Sequence, residues 1–242
     1  MKNSRNFYAN KVVYKPWGYE YVIYNDNNKI AITLVKINFG HKTSLHCHPK
    51  KKTGFIILEG NALVQIGLYK ENSKVYKPLS RLVLRPGLFH SIKSLSKKGL
   101  YAFEFETPFK KKDLIRFKDN YGRQKKDYEG RRFAKNLDSN FIKFKKPQIG
   151  KKKTYKFNNL EILLEKKKNL KNFSKRDSRS STAILNGKIV DKNGQNVISF
   201  GEIVKTSTLR ILADKFEIKK PITVLKVSKN INNHNIKNYK FI

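Results

Sequence analysis

Short apolar runs separated by turn residues dominate the first half of the chain. Residues 33–37 and 62–66 are rich in apolar and β-branched side chains, and the run at 53–60 ends at Gly60. Clusters of Asn, Gly and Pro punctuate these runs at residues 25–28, 39–40, 59–61, 71–73 and 85–87. Runs of this length between such clusters are typical of β-strands joined by turns. The pattern therefore predicts an all-β domain.

Three histidines lie beside these predicted turns. His46 and His48 are two residues apart, so their side chains point to the same face of one strand. His90 follows Pro86-Gly87, a turn signal between two apolar runs. Imidazole binds Zn, Fe, Ni, Cu and Mn, and three neutral imidazoles leave coordination positions open for water or substrate. The sequence therefore predicts a β-barrel with a metal site.

These residues resemble the two signature motifs of the cupin superfamily. The matching positions are Gly40, His46, His48 and Gly60, followed by Pro86, Gly87 and His90. The resemblance implies a jelly-roll barrel whose metal lies in the mouth, held by the motif histidines. The family usually has glutamate where this chain has Thr53, and asparagine where it has Ser94. Because a threonine hydroxyl is a poor ligand for a divalent ion, the resemblance implies a three-histidine site or one that recruits another carboxylate.

The segment at residues 15–20, Lys-Pro-Trp-Gly-Tyr-Glu, is similar to the opening segment of the cupin domain of type II mannose-6-phosphate isomerases. That resemblance covers residues 13–108, with Lys51 and Thr53 where the family has arginine and glutamate. It implies isomerisation of a phosphorylated sugar with a divalent metal: Zn, Mn or Fe. Lys51 or Arg85 would hold the phosphate.

Glu104 lies in an alternating run, residues 100–106. The aromatic side chains at 101, 103 and 105 share one face of the predicted strand, and Glu104 lies on the other face. One face is predicted to close the core. We interpret Glu104 as solvent-facing because glutamate is usually exposed, with a substitute metal-ligating carboxylate as the alternative.

Strand signals return in the second half of the chain. The Leu-Asn-Gly at 185–187 matches the Leu-Glu-Gly at 58–60, and residues 200–202 look like the turn before the second motif. We therefore predict a bicupin with a degenerate second barrel that binds no metal and serves packing, dimerisation or anion binding. The residues that replace the histidines there are Lys175, Arg176, Asp177 and Arg179.

The predicted domains are a first barrel at residues 1–107, a partly helical connector at 108–150, the second barrel at 151–230 and a mobile tail at 231–242. In the connector we interpret Tyr121, Arg123 and Tyr128 as packing residues, with a sugar or phosphate pocket as the alternative. His41 and His234 fall outside the motifs and are interpreted as surface residues.

The formal net charge of +36 is the strongest compositional signal. It is typical of proteins that bind nucleic acid through phosphate contacts. However, the lysines are spread along the whole chain, and no recognised nucleic-acid-binding signature accompanies them. We therefore interpret the charge as a solvated surface that attracts acidic ligands, and expect no nucleic-acid partner.

Cys47 is the only cysteine of the chain, so no intramolecular disulfide forms, as expected in a reducing compartment. It lies between His46 and His48, is expected to point to the opposite face, and is not counted as a ligand. No apolar stretch approaches the ~20 residues that span a bilayer, and the N-terminus has no signal-peptide core. The sequence predicts a cytoplasmic protein without a membrane partner.

Three functions remain open on the sequence. The first is a sugar-phosphate isomerase or epimerase, acting on a sugar phosphate or nucleotide sugar in surface-polysaccharide synthesis, as the resemblance implies. The second is a three-histidine iron dioxygenase, a class also known among cupins. The third is a non-catalytic sugar-binding or assembly protein, because fold alone does not fix function. A homodimer is compatible with all three.

Overall fold

A computed structural model describes residues 4–126, 128–139, 141–170 and 179–230. The chain divides into two compact units, Met1–Ser139 and Asn140–Ile242. Strands dominate both units, and the described residues contain a single α-helix, so the predicted all-β class is confirmed. None of the helical segments described is long and apolar enough to cross a membrane.

The first unit is built from two antiparallel sheets. One has seven strands in the order β12-β1-β2-β3-β10-β5-β8, and the other has five in the order β11-β4-β9-β6-β7. The strands are β1 (Lys11–Lys15), β2 (Gly18–Asp26), β3 (Ile30–Ile37), β4 (Leu45–Cys47), β5 (Lys52–Glu59), β6 (Ala62–Ile66), β7 (Ser73–Tyr76), β8 (Arg81–Leu84), β9 (His90–Ser94), β10 (Leu100–Thr107), β11 (Ile115–Lys118) and β12 (Ala134–Asn136).

The two sheets enclose one apolar core. Val35 and Ile57 of the larger sheet pack in the same buried cluster as Val64 and Ile92 of the smaller sheet. These four side chains are all apolar and β-branched, which suits a pleated surface buried against another sheet. The first unit is therefore a jelly-roll barrel, as predicted.

The predicted connector does not form a separate segment in the structure. Its strand β11 pairs with β4, and its strand β12 pairs with β1, so both join the sheets of the first unit. Helical structure within its described residues is limited to a 3-10 turn at Arg131–Phe133. The physical reason is that β1 and β4 would otherwise be sheet edges with unpaired backbone groups.

The second unit repeats the strand order of the first barrel. Its five-stranded sheet runs β13-β14-β19-β15-β18, which corresponds to β2-β3-β10-β5-β8, and β16 and β17 form a separate hairpin. Its elements are β13 (Lys152–Phe157), β14 (Leu160–Lys167), β15 (Ser181–Asn186), β16 (Lys188–Val190), β17 (Asn196–Ser199), β18 (Ile203–Lys205), α1 (Thr206–Leu212) and β19 (Ile222–Lys229).

The register supports this correspondence residue by residue. The pairing of β10 with β5 shifts next to Glu59, and that of β19 with β15 shifts at the matching position, next to Asn186. Each shift is followed by a glycine with positive φ, Gly60 at 78° and Gly187 at 83°. The predicted match between residues 185–187 and 58–60 is therefore confirmed.

The second unit differs from the first after β18, the strand that corresponds to β8. After β8 the first unit turns into β9, which begins at His90, whereas after β18 the second unit continues into the helix α1. Ser180 and Thr182 there form hydrogen bonds with Thr206, and all three side chains are buried. The predicted replacements Lys175, Arg176 and Asp177, the tail at 231–242 and His234 lie outside the described residues.

Gly60 offers a test of the tight turn after β5. A Cβ at this position would lie 2.3 Å from the carbonyl oxygen of Gly99, whereas a Cβ at Gly87, which has the same φ of 78°, meets nothing within 4 Å. Both changes to alanine carry the left-handed penalty of about 1–2 kcal/mol. Gly60→Ala adds an overpacking cost of about 1–3 kcal/mol. We expect urea unfolding to show Gly60→Ala as clearly less stable than Gly87→Ala, and equal losses would contradict this packing.

Candidate metal centre

The three predicted ligands converge at one end of the first barrel. His46 lies on β4, His48 follows that strand directly, and His90 begins β9. His46 and His90 are direct cross-strand partners. The ring centroids are 4.5 Å apart for His46 and His90, 4.9 Å for His46 and His48, and 5.4 Å for His48 and His90. One nitrogen atom from each ring lies within 4.8 Å of those of the other two.

Backbone carbonyl groups fix the orientation of all three rings. The Nδ1 atom of His46 lies 2.8 Å from the carbonyl oxygen of Ser44, and that of His90 lies 3.1 Å from Leu88. The Nδ1 atom of His48 lies 2.6 Å from the carbonyl oxygen of Asp113. A carbonyl oxygen only accepts hydrogen bonds, so each Nδ1 is the protonated donor and each Nε2 carries the free lone pair.

Two of these Nε2 atoms are buried and have no hydrogen-bond partner among the described residues. The Nε2 atoms of His48 and His90 are buried and accept no hydrogen bond within the described part of the chain. A buried polar group without a partner costs about 1–3 kcal/mol. Anchored Nδ1 atoms with converging free Nε2 atoms are the arrangement that metal-ligating histidines adopt. The residues present therefore fit a divalent metal ion.

The electrostatic surroundings keep the imidazoles neutral. Burial lowers the pKa of all three histidines, and for His90 the pKa falls to about 4. The nearby Lys51 ammonium lowers these pKa values further. Neutral imidazole is the ligating form, so near neutral pH a metal ion would not have to displace protons from these rings.

Thr53 lies on β5, at the position where the sequence resemblance implies a glutamate. Its hydroxyl is buried without a hydrogen-bond partner in the described structure, and across the sheet it faces Glu106 of β10. Glu106 itself forms ion pairs with Lys51 and Lys111. Among the described residues, the cluster of converging ligand atoms contains histidines alone.

Glu104 lines the same cavity, so its interpretation as solvent-facing is wrong. It is only partly exposed, and it shares its face of β10 with Ala102, which belongs to the buried core between the sheets. The smaller sheet covers this face. Burial and the neighbouring Glu106 carboxylate raise the pKa of Glu104 to about 7.

The cavity next to the histidines encloses about 620 Å³ out to its open mouth. Its wall carries more charged side chains than apolar ones. The cations are Lys15, Lys51, Lys111, Arg116 and Arg123, and the carboxylates are Glu20, Glu104, Glu106 and Glu129.

Most of these charges form a buried network of ion pairs. Glu106 lies 2.6 Å from the Lys51 ammonium and 2.8 Å from the Lys111 ammonium. Glu20 lies 2.9 Å from Lys111 and accepts a hydrogen bond of 2.5 Å from the Tyr128 hydroxyl. Glu129 completes the network and pairs with Lys15, Arg116 and Arg123 at 2.5, 3.3 and 2.6 Å.

Several cavity residues were not identified from the sequence as site residues. Lys15 and Glu20 belong to the Lys-Pro-Trp-Gly-Tyr-Glu segment, which served only to identify a resemblance. Lys111, Arg116 and Glu129 lie in the predicted connector, and nothing in the local pattern of that region marks them as cavity residues. Arg123 and Tyr128 do line the cavity, whereas Tyr121 does not.

The predicted phosphate-binding residues lie in different places. Lys51 is buried and lines the cavity, where its ammonium is paired with Glu106. Arg85 is exposed in the turn after β8 and is not part of the cavity wall. Cys47 is buried outside the histidine cluster, and His41 is exposed, with its ring stacked on Tyr121.

No known protein-family profile matches this chain, and no curated protein matches it. Among solved structures it is similar to KdgF from Halomonas sp., at 16% identity and a TM-score of 0.36, over 40% of this chain and 84% of that one. It is also similar to the Cnp3 cupin domain of Schizosaccharomyces pombe, at 15% identity and a TM-score of 0.35, over 38% of this chain and 64% of that one. A third similar structure is the capsular polysaccharide assembling protein CapF from Staphylococcus aureus, at 11% identity and a TM-score of 0.36, over 45% of this chain and 34% of that one.

Proposed function

We propose that this chain is a metal-dependent enzyme that moves a proton on a phosphorylated or nucleotide-linked sugar, as an isomerase or epimerase. The observation that carries the proposal is the convergence of His46, His48 and His90, with each Nδ1 anchored to a carbonyl oxygen. Two of the Nε2 atoms are buried without a partner in the described part of the chain. The charged cavity beside the cluster gives a small polar substrate a place to bind.

The three histidines would hold the metal through Nε2. When bound, a divalent metal supplies Lewis-acid polarisation of a carbonyl or hydroxyl oxygen. The protein contributes positioning, since each imidazole is fixed by its carbonyl partner. Asp113 adds to this fixation, because its carboxylate accepts hydrogen bonds of 3.0 and 2.8 Å from the backbone N–H groups of Lys50 and Lys51. The loop after His48 is thereby tied to the same residue that orients the His48 ring.

The charge of the cavity favours an anionic substrate. Cationic side chains outnumber carboxylates along its wall, and Glu104 is uncharged below its pKa of about 7. A partly enclosed site with a surplus of positive charge attracts anions and strengthens their electrostatic interactions. Arginine and lysine also supply the donors that phosphate oxygens accept. These features support a phosphorylated sugar over a neutral one.

The all-histidine ligand set also favours a second candidate, a three-histidine iron dioxygenase. Neutral ligands suit ferrous iron as well as zinc or manganese, so the bound element separates the two functions. Iron with oxygen consumption would favour the dioxygenase. Zinc or manganese would favour sugar chemistry. The same protein without any bound metal, but with affinity for sugars, would favour the non-catalytic alternative.

Purified full-length protein is expected to bind about one equivalent of a divalent metal, and the metal should raise its melting temperature. A ligand that binds only the folded state, present at about 100 times its Kd, stabilises by about 2.7 kcal/mol. Elemental analysis and thermal unfolding with Zn, Mn and Fe measure both quantities. Turnover is then tested with mannose 6-phosphate and related sugar phosphates. Metal-loaded protein that turns over none of them would contradict the proposed reaction.

The proposal places the protein in the cytoplasm, in the synthesis of a surface polysaccharide, with a sugar phosphate or nucleotide sugar as its ligand. These points follow from the sequence and the resemblance and stay predictions, as does a homodimer. Fractionation of cells, light scattering of the purified chain and a thermal-shift screen of nucleotide sugars test them separately.

A further inference from the structure

Glu104 differs from the other carboxylates of the cavity wall in having no partner among the described residues. Glu20, Glu106 and Glu129 each form ion pairs with a lysine or arginine of the same wall. Within the part of the chain that the structure describes, Glu104 forms neither an ion pair nor a hydrogen bond. Its carboxylate is therefore free to react with a molecule in the cavity.

The fold holds Glu104 on a central strand of the cavity wall that also carries the three histidines. It lies in the middle of β10, between Thr33 of β3 and Phe55 of β5 in the sheet register. The Phe55 ring contacts the His90 ring edge to face, with centroids 6.1 Å apart. Glu104 is thus a cross-strand neighbour of a side chain that packs on the candidate metal centre. A central strand fixes such a group more precisely than a loop does.

The charged groups that face Glu104 hold it ready to exchange a proton near neutral pH. Burial and the carboxylates of Glu106 and Glu20 raise its pKa, and the ammonium groups of Lys111 and Lys51 partly offset them, which leaves the pKa at about 7. The two lysines pair directly with Glu106 and hold its pKa at about 2. A pair of carboxylates with separated pKa values is typical of acid–base sites. A general base works best with a pKa near the working pH.

We infer that Glu104 is the acid–base catalytic residue of this site, and this inference rests on the proposed function. Its carboxylate takes the proton from the carbon beside the substrate carbonyl. The electron pair of that C–H bond forms the C=C bond of an enediolate, and the negative charge moves to the former carbonyl oxygen. Glu104 then gives its proton to the neighbouring carbon, while the adjacent hydroxyl proton passes to that oxygen. Substrate and product are isomers, and the carboxylate is regenerated.

Exchange of substrate hydrogen with deuterium oxide tests this role. The metal-loaded full chain is incubated with mannose 6-phosphate or fructose 6-phosphate, and loss of the proton at the reacting carbon is followed by NMR. Glu104→Gln should slow exchange by at least about 100-fold, the usual scale of general base catalysis. Glu104→Asp should retain part of the rate. Glu71→Gln, the same change at an exposed position in the Lys70–Asn72 turn, should exchange like wild type.

Metal content and thermal unfolding of each variant show whether the centre and the fold are intact. Because glutamine removes a partly buried carboxylate that Glu106 repels, Glu104→Gln should bind metal normally and unfold at the wild-type temperature or above it at pH 8. If Glu104→Gln exchanges the substrate hydrogen at the wild-type rate, the assignment of Glu104 is overturned and the proposed function stands. If the metal-loaded wild type exchanges the hydrogen of neither mannose 6-phosphate nor fructose 6-phosphate, the proposed function is overturned, and the assignment of Glu104 with it.

A titration of the metal-free protein supplies a readout that does not depend on activity. In protein labelled with ¹³C at the glutamate carboxyl carbon, one resonance should titrate near pH 7 and be missing from Glu104→Gln. In active wild type the exchange rate should rise with pH through the same value and level off above it. A Glu104 resonance that titrates near the ordinary glutamate value of about 4.3 would overturn the assignment.

Discussion

Replacing His90 by alanine is expected to abolish stoichiometric metal binding. His46 lies on β4, His48 follows that strand, and His90 begins β9. Among the described residues, the cluster contains no fourth ligand that could replace one of them. Loss of an outer partner of a ligand typically costs about 10–100-fold in metal affinity, so loss of a ligand should cost at least about 100-fold. Elemental analysis after dialysis against metal-free buffer measures the effect. The metal-induced rise in melting temperature should disappear as well.

His41→Ala is the matched control for this variant. His41 is exposed and lies outside the cluster, so it should keep the wild-type metal content. Because His90→Ala also leaves a cavity, its folding is checked by circular dichroism in the absence of metal. A folded His90→Ala protein that retains a full equivalent of metal would show that the ion binds elsewhere.

Replacing Glu106 by alanine is expected to destabilise the first barrel by about 3–5 kcal/mol, the range for removing one partner of a buried ion pair. Glu106 is fully buried and pairs with both Lys51 and Lys111. Lys111 would keep Glu20, but Lys51 would lose the ion pair at 2.6 Å. Urea unfolding measures the change. Glu71→Ala, at an exposed position, should stay within about 0.5 kcal/mol of wild type.

A double-mutant cycle identifies the cause of this loss. If the cost comes from the uncompensated Lys51 ammonium, then Lys51→Met should recover part of it in the Glu106→Ala background, because methionine fills similar space without a charge. Additive losses in the double variant would instead assign the cost to packing alone.

The same carboxylates make the stability of the fold depend on pH. The lysines hold the pKa of Glu106 at about 2 and that of Glu20 below its usual range. In the unfolded chain a glutamate titrates near its ordinary value of about 4.3. The stabilisation is therefore complete above that pH and is lost as the pH falls toward 2. Thermal unfolding should show this loss in wild type and a shallower one in Glu106→Ala.

The sequence predicted the parts of the site that depend on local geometry. His46 and His48 are two residues apart, and a Pro-Gly turn precedes His90. These local features determine where the side chains point, so their convergence could be predicted from the sequence. The match between residues 58–60 and 185–187 is also local, and it predicted the repeat that the strand order of the second unit shows.

The remaining features depend on contacts between distant residues. Asp113 orients His48 across 65 positions, and Lys111 reaches Glu20 across 91 positions, and neither pairing leaves a local signal. The alternation of β10 separated its two faces correctly, but it could not show that a second sheet would cover the face of Glu104. The short polar strands β11 and β12 were predicted as part of a connector. Their pairing partners, β4 and β1, lie far away in the sequence, so no local pattern indicates the pairing.

The most direct test of the metal centre is an anomalous difference map from a crystal of the full chain grown with one equivalent of zinc or manganese. With zinc we expect one peak, about 2.0–2.1 Å from the Nε2 atoms of His46, His48 and His90, as in zinc–imidazole bonds. A map without a peak at these three atoms, or with its peak on the carboxylates of the ion-pair network, would rule out a metal centre at the histidines.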